Sequence, residues 1–258
     1  MLSQKSNERQ ERCSLFFSPL CYGVDMSAGR TARERVRAEL TREITDIARR
    51  HLETDGAGGL SLRAVAREMG MVSSAIHRYF PTKDDLLTAL IIDAYNAVGQ
   101  AVEDADDAAP SDDYAGRWLA MCRAVRGWAL AHPHEYALIH GTPVPGYQAP
   151  QDTVDPAARD GIRFSRLLSE ASRAGRIQVP PPTDAPVGAF SDAEKLRETI
   201  FSDVDPEVAL RGLHAWTWLY GAVSFELFGM YNNIVEKRAA TFEHGALSMA
   251  AYLGLSPR

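Results

Sequence analysis

The sequence predicts an all-α protein in two parts: a small N-terminal three-helix unit containing a helix-turn-helix, then a larger helical domain. Apolar residues recur at three- and four-residue steps through most of the chain, the period of a helix with one buried face. Two short helical segments between Leu60 and Phe80 are separated by a turn of three or four residues, the layout of a helix-turn-helix. No stretch alternates apolar and polar residues at the strand period, which disfavours any sheet-based nucleotide fold. A chain of 258 residues can bury a sizeable core, and the pattern divides it into 1–30, 31–83 and 84–258.

The first helix is expected over Thr31 to Thr54, where Val36, Leu40, Ile44, Ile47, Ala48 and Leu52 share one face, and the run Gly56-Ala57-Gly58-Gly59 ends it. Ser61 is placed to cap a second helix whose Leu62, Val65, Ala66 and Met69 align, and Gly70 stops it. Ser73 is placed to cap a third, Ser74 to Phe80, packing through Val72, Ile76 and Phe80. Pro81-Thr82-Lys83-Asp84-Asp85 opens a fourth, with acidic residues at its positive end. Further helices are expected over Asp85–Asp104, Tyr114–Ala131, Pro133–His140, Pro156–Ala174, Asp192–Ile200, Pro206–Met230 and Asn233–Leu253. The proline-bearing stretches Gly141–Pro150 and Val179–Phe190 read as loops.

The net charge of −6 is unevenly distributed. Residues 27–83 carry +4, from 11 basic against 7 acidic side chains, whereas 84–258 carry −10, from 14 against 24. Phosphate attraction is short-ranged at physiological salt, so a small basic face suffices to hold a nucleic acid while an acidic remainder keeps the molecule dispersed. The three cysteines, Cys13, Cys21 and Cys122, have no metal-like spacing; a disulfide framework is not expected, which fits a reducing cytoplasm. No run approaches the roughly 18 apolar residues that span a bilayer. Leu15 to Tyr22 follows Lys5, Arg9 and Arg12 as a leader peptide would, but Glu8 and Glu11 intrude, Pro19 breaks the run and no small-residue cleavage site follows. Residues 1–30 therefore read as a disordered tail, or as the product of an upstream start with Met26 opening the protein.

The segment from Leu60 to Lys83, LSLRAVAREMGMVSSAIHRYFPTK, resembles the DNA-binding signature of the TetR family. It has an apolar-Ala pair in the second helix, a Gly in the turn, a recognition helix rich in small residues that ends in an aromatic and Phe80, and a Lys just beyond. Its residue types also have reasons of their own. Ala66 and Gly70 are small where two helices cross closely. Ser73, Ser74 and Ala75 let a helix start approach base edges and phosphates, while His77, Arg78 and Tyr79 are long enough to reach bases or backbone. Lys83 stands at a helix N-terminus with free N–H groups, a natural phosphate holder, and Arg63 reaches a base or a flanking phosphate. Ser61 and Ser73 read as caps before they read as DNA ligands; Arg67 and Arg78 read equally as surface charges. His77 departs from the family's usual Tyr, which leaves the base preference at that position open.

A second stretch, from Trp118 to Arg123, Trp128 to Ile139 and Gly141 to Tyr147, resembles the regulatory domain of an actinomycete TetR subgroup whose late helix bears a Trp-x-x-x-His-Gly element. Here Trp216 and Gly221 keep that element but Tyr220 replaces the histidine, which puts any ligand role of that residue in doubt. The resemblance implies a cytoplasmic, nucleoid-associated homodimer that binds a palindromic operator in double-stranded DNA and, by family default, represses. It also implies that Pro206–Met230 and Asn233–Leu253 form a four-helix bundle with their copies, through Trp216, Leu219, Val223, Leu227, Phe228, Phe242, Leu247, Met249 and Tyr252, with Gly212, Gly221 and Gly229 allowing close approach. A small apolar or aromatic effector is expected among the middle helices, where Trp118, Trp128, Tyr136, Phe164 and Trp218 can line a space, although each reads first as core.

No cofactor, metal or catalytic activity is expected. His132, His134 and His140 cluster, but Pro133 separates the first two and no carboxylate stands at a ligand spacing from them. No nucleophile-base arrangement, phosphate-cradling glycine loop or dinucleotide motif appears. The rival reading, a helix-turn-helix architectural protein without a ligand, would need basic charge over a larger surface than 27–83.

Overall fold

The computed structural model describes residues 32–179, 189–201 and 203–255. The expected tail 1–30, with Cys13, Cys21 and Met26, and most of the expected Val179–Phe190 loop lie outside the described residues. The described residues fall into two units, one being the start of helix α1 up to Leu40 and the other beginning at Thr41.

Ten α-helices run through the described residues: α1 Ala32–Gly59, α2 Leu62–Glu68, α3 Ser73–Ile76, α4 Lys83–Ala108, α5 Tyr114–Ala131, α6 Pro133–His140, α7 Val154–Arg173, α8 Ala189–Thr199, α9 Pro206–Leu227 and α10 Arg238–Tyr252, with a 3₁₀ turn at Gln151–Thr153. The only β pairing among them is one antiparallel bridge between Ile177 and Leu255. The expected all-α class is what the chain forms, and α5 and α6 start and stop where proline and periodicity place them. Several boundaries differ. α1 does not stop at Thr54: Gly56, at φ 65°, breaks the winding, which then resumes to Gly59. α4 runs over Lys83–Ala108 rather than Asp85–Asp104, and α7 over Val154–Arg173 rather than Pro156–Ala174. Ala189 and Phe190 are helical, not loop. α9 ends at Leu227, short of Met230, because Gly229 adopts φ 80°, which no helix continues. Asn233 adopts φ 62°, so α10 begins at Arg238 rather than at Asn233.

Two apolar cores share one helix. The first gathers Ile44, Ile47, Ala48 and Leu52 of α1, Leu62, Val65 and Ala66 of α2, Ile76 and Phe80, and closes on Leu86, Leu87 and Leu90 of α4. The second begins one turn further along α4, at Ala94, Val98 and Val102, and takes in α5, Tyr136, α7, α9 and α10. α4 starts firmly: Thr82 Oγ1 accepts from the Asp85 N–H at 3.1 Å while Asp85 accepts from the Thr82 N–H at 2.8 Å. Such a reciprocal cap contributes about 1 kcal/mol.

The far end of α4 is tied by charge. Asp106 is 2% exposed and receives both Nε (2.7 Å) and Nη2 (3.1 Å) of Arg117 on α5, together with Nε of Arg163 on α7. Arg117 also reaches Glu170 at 2.8 Å. Burial pushes the Asp106 carboxyl up, but the two guanidinium groups outweigh it and hold it below its ordinary range. Removing one partner strands buried charge, so Asp106→Ala should cost about 3–5 kcal/mol in urea unfolding. Because the folded carboxyl is depressed, this stabilisation is complete above the ordinary carboxylate range and is lost as pH falls through the lowered value. A wild-type stability curve flat through acid pH, or a variant as stable as wild type, would contradict it.

Candidate nucleic-acid interface

The α2-turn-α3 hairpin is built by backbone closure at Gly70. With φ 67° it sends the Met71 N–H to the Ala66 carbonyl (2.9 Å) and its own N–H to the Arg67 carbonyl (3.1 Å), which closes α2 and redirects the chain into α3. Ala66 is buried at the crossing, as its size anticipated. From α1, Arg50 and His51 both bind Glu68, at 2.7 and 2.8 Å, and brace α2 from behind.

Two capping expectations are corrected. Ser61 sits at the N-cap of α2 without a side-chain capping bond. Ser73 is already helical, and the N-cap of α3 is Val72, in extended conformation with no side chain able to accept. Val72, expected in the core, is 71% exposed: as the last extended residue before the helix it points off the packed face that Ile76 and Phe80 occupy. α3 proper spans four residues, shorter than the expected Ser74–Phe80. The winding nonetheless continues, because Arg78, Tyr79 and Phe80 donate to Ala75, Ile76 and Ile76 at 2.9–3.2 Å.

Arg63, Ser73, Ser74, His77 and Arg78 are exposed, and Ala75, Tyr79 and Lys83 half-buried. His77 and Lys83 have partners that the motif does not disclose. His77 Nδ1 lies 2.9 Å from the Pro81 carbonyl, which can only accept, so Nδ1 carries the hydrogen and Nε2 of the neutral ring is left as an acceptor. Lys83 Nζ donates to the Gly58 carbonyl at 2.8 Å, fastening the start of α4 to the end of α1 and leaving two donors for another acceptor. These ties join residues 25 apart or fold a side chain back on its own turn, and neither leaves a periodic trace.

The five aromatic candidates separate. Trp118 and Phe164, in edge contact at 5.3 Å, line an apolar chamber of about 260 Å³ with Trp216, Leu168, Leu196 and Phe201. Trp118 also donates to the Ala246 carbonyl at 2.9 Å, binding α5 to α10. Trp128 is stacked on His132, Trp218 on Phe242, and Tyr136 is fully enclosed with its hydroxyl on Ser224 (2.9 Å); none of the three lines that chamber. Sequence reasoning passed over Asp160, 4% exposed on α7, which accepts from the Tyr220 hydroxyl and from Trp216 Nε1 at 3.4 Å. Burial pushes both the Asp160 carboxyl and the Tyr220 phenol up, so Tyr220 stays a donor. No helix among the described residues is long and apolar enough to cross a membrane.

Residues 44–90 match the model described as bacterial regulatory proteins, tetR family, and residues 118–249 that described as Tetracyclin repressor-like, C-terminal domain. The HTH-type transcriptional regulator Rv1816 of Mycobacterium tuberculosis is 39% identical over 213 residues, 82% of this chain and 89% of the relative. Mb1846 of Mycobacterium bovis, also an HTH-type transcriptional regulator, matches with the same figures: 39%, 82% and 89%. Among solved structures, the regulatory protein SCO4313 superposes with a TM-score of 0.69 at 36% identity, over 86% of this chain and 100% of that one. A protein with unknown function from Rhodococcus sp. RHA1 gives 0.60 at 25% identity, over 83% and 93%.

His140, packed between Tyr136 and Tyr220, is held down to about 4 by burial. Its ring should titrate near there in an NMR pH series. Because this base is depressed when folded, stability should fall as pH drops from its ordinary 6.5 toward 4. A midpoint near 6.5 would mean a hydrated ring.

Proposed function

The chain belongs to the TetR family of bacterial regulatory proteins and carries that family's DNA-binding helix-turn-helix, and on that premise we propose that it is a repressor released from a palindromic operator by a small apolar or aromatic effector. The observation that carries this reading is the α2-turn-α3 hairpin, which offers short residues, Ser73 and Ser74, and long polar ones, Arg63, His77 and Arg78, outward from a buried Ile76–Phe80 backing. Ser73, Ser74, Ala75 and His77 address base edges; Arg63, Arg78, Tyr79 and Lys83 address phosphates or flanking bases. The working division is a head at 31–83 and a regulatory and dimerisation domain at 84–258, in the cytoplasm and at the nucleoid. Catalysis has no part in it.

Two heads are held one helical turn apart by a homodimer through α9 and α10. Of the residues expected in that bundle, Leu219, Val223 and Phe242 are buried within the chain, as is Gly212, whose Cβ would meet Leu168 and Phe201. Phe228 and Leu247 are exposed, joined by Phe225, and a Cβ at Gly221 would meet nothing within 4 Å. The dimer surface is therefore narrower than the apolar content of these helices. The regulatory part falls in the subgroup with the Trp-x-x-x-His-Gly element, Tyr220 replacing the histidine and donating to Asp160 instead. The effector enters among the sensor helices and favours a conformation whose head spacing no longer fits the operator. The Trp118–Phe164 chamber and a cleft behind α6 both have room for one.

With a duplex selected from a random library, Lys83→Ala combined with Tyr79→Ala should weaken binding by at least about tenfold and flatten the salt slope by about one phosphate contact. Helical circular dichroism should not change. Undiminished binding by the folded double variant would overturn the interface.

A further inference from the structure

A cleft of about 570 Å³ opens between the end of α1 at Leu52 and Gly58, the end of α6 at Ala137 and His140, and the end of α9 at Ser224 and Phe228. Its size suits a small ligand. Three features bear on its occupant; the first and third distinguish it from the Trp118 chamber, whose walls are equally free of Asp, Glu, Lys and Arg among the described residues.

The first is an unmet polar atom. Nε2 of His140 is buried and has no hydrogen-bond partner among the described residues, although rings of Tyr136 and Tyr220 surround the imidazole at 4.9 and 4.4 Å. Folded proteins seldom leave such an atom without one. The second is charge. Among the described residues no Asp, Glu, Lys or Arg lines the cleft, its histidines are His134 and His140, and the His140 ring, held down to about 4, is neutral at physiological pH, so the part of the wall that His140 forms suits an uncharged group. The third is mechanical. The Gly58 carbonyl, in the α1 wall, is the group that holds Lys83. On the α6 side, Leu138 and Val144 line the cleft and pack against the apolar core of the head. Arg49 of α1 meanwhile clasps Glu135 of α6 at 3.1 Å and Asp93 of α4 at 2.7 Å. An occupant therefore bears at once on the sensor and on the segment that positions a proposed phosphate contact.

We propose that this cleft, rather than the Trp118 chamber, is the effector site, and that it takes a neutral, largely apolar molecule whose single hydroxyl hydrogen-bonds Nε2 of His140 as the ring turns that enclosed atom toward the cleft. A hydroxyl both donates and accepts, so it serves either tautomer of the ring. The inference rests on the reading of the protein as an effector-released regulator.

The probe is 2-naphthol, with naphthalene as its hydroxyl-free control. Full-length protein should bind one 2-naphthol per chain by fluorescence titration, and naphthalene at least about tenfold more weakly, the worth of one buried hydrogen bond. His140→Phe should erase that preference and His140→Asn restore part of it. Ala137→Trp should fill the cleft, while Ile162→Trp, at the Trp118 chamber, should leave binding unchanged. On the selected duplex, saturating 2-naphthol, and Ala137→Trp without ligand, should each lower affinity at least about tenfold with the melting temperature retained; if Ala137→Trp does not fold, the two His140 variants carry the same comparison. Absence of saturable binding, or a response removed by Ile162→Trp and not by His140→Phe, overturns the cleft while release itself stands or falls separately. Binding that depends on His140 but leaves duplex affinity unchanged supports the site and overturns the release reading on which its effector role rests.

Discussion

Everything in this molecule hangs on α4 being one unbroken helix. Its 26 residues span about 39 Å and serve as a wall of two separate cores, Leu86 to Leu90 for the helix-turn-helix unit and Ala94 to Val102 for the larger domain. Its start is fixed by the Thr82–Asp85 cap and by Lys83 on Gly58, and its end by Asp106 between two arginines. The fixed points are polar and the span between them apolar, which gives rigid anchorage with close packing between.

The head is small, and its precision comes from closure more than from extent of core. A positive φ at Gly70 sets the turn, Ile76 and Phe80 plug the recognition segment into α1 and α4, and Arg50 and His51 fasten Glu68. The recognition segment gives up a side-chain cap at Val72, and the bonds from Arg78, Tyr79 and Phe80 to preceding carbonyls keep it wound. Short side chains then stand outward on a scaffold that packing alone would leave free to rotate.

The larger domain combines an apolar interior with polar groups enclosed inside it. Asp160 is held by neutral donors, Tyr220 and Trp216, and the adjoining His140 is surrounded by rings and lacks a partner at Nε2 among the described residues. Interior polarity of this kind is costly to bury, and in the proposed function its worth is discrimination: an effector that satisfied it would gain what a merely apolar one does not. Its position beside Ser224 and the end of α1 puts that discrimination next to the head.

The sequence by itself determined the helical class, the position of α5 and α6 to the residue, the Gly70 turn and the small side chains of the recognition segment. All of these follow from interactions within one or two turns: apolar periodicity, proline at a helix start, glycine where φ is positive. Only the tertiary structure decided that Val72 stands bare, that Ser61 and Ser73 do not cap, that Lys83 is bound to Gly58, that Trp118 and Phe164 share a chamber while Trp128, Tyr136 and Trp218 do not line it, and that His140 borders a cleft. The physical reason is range. A local period says which face of a helix is apolar but not which of two cores receives it, and a hydrogen bond between residues 25 or 60 positions apart is set by the path of the folded chain rather than by any neighbour in sequence.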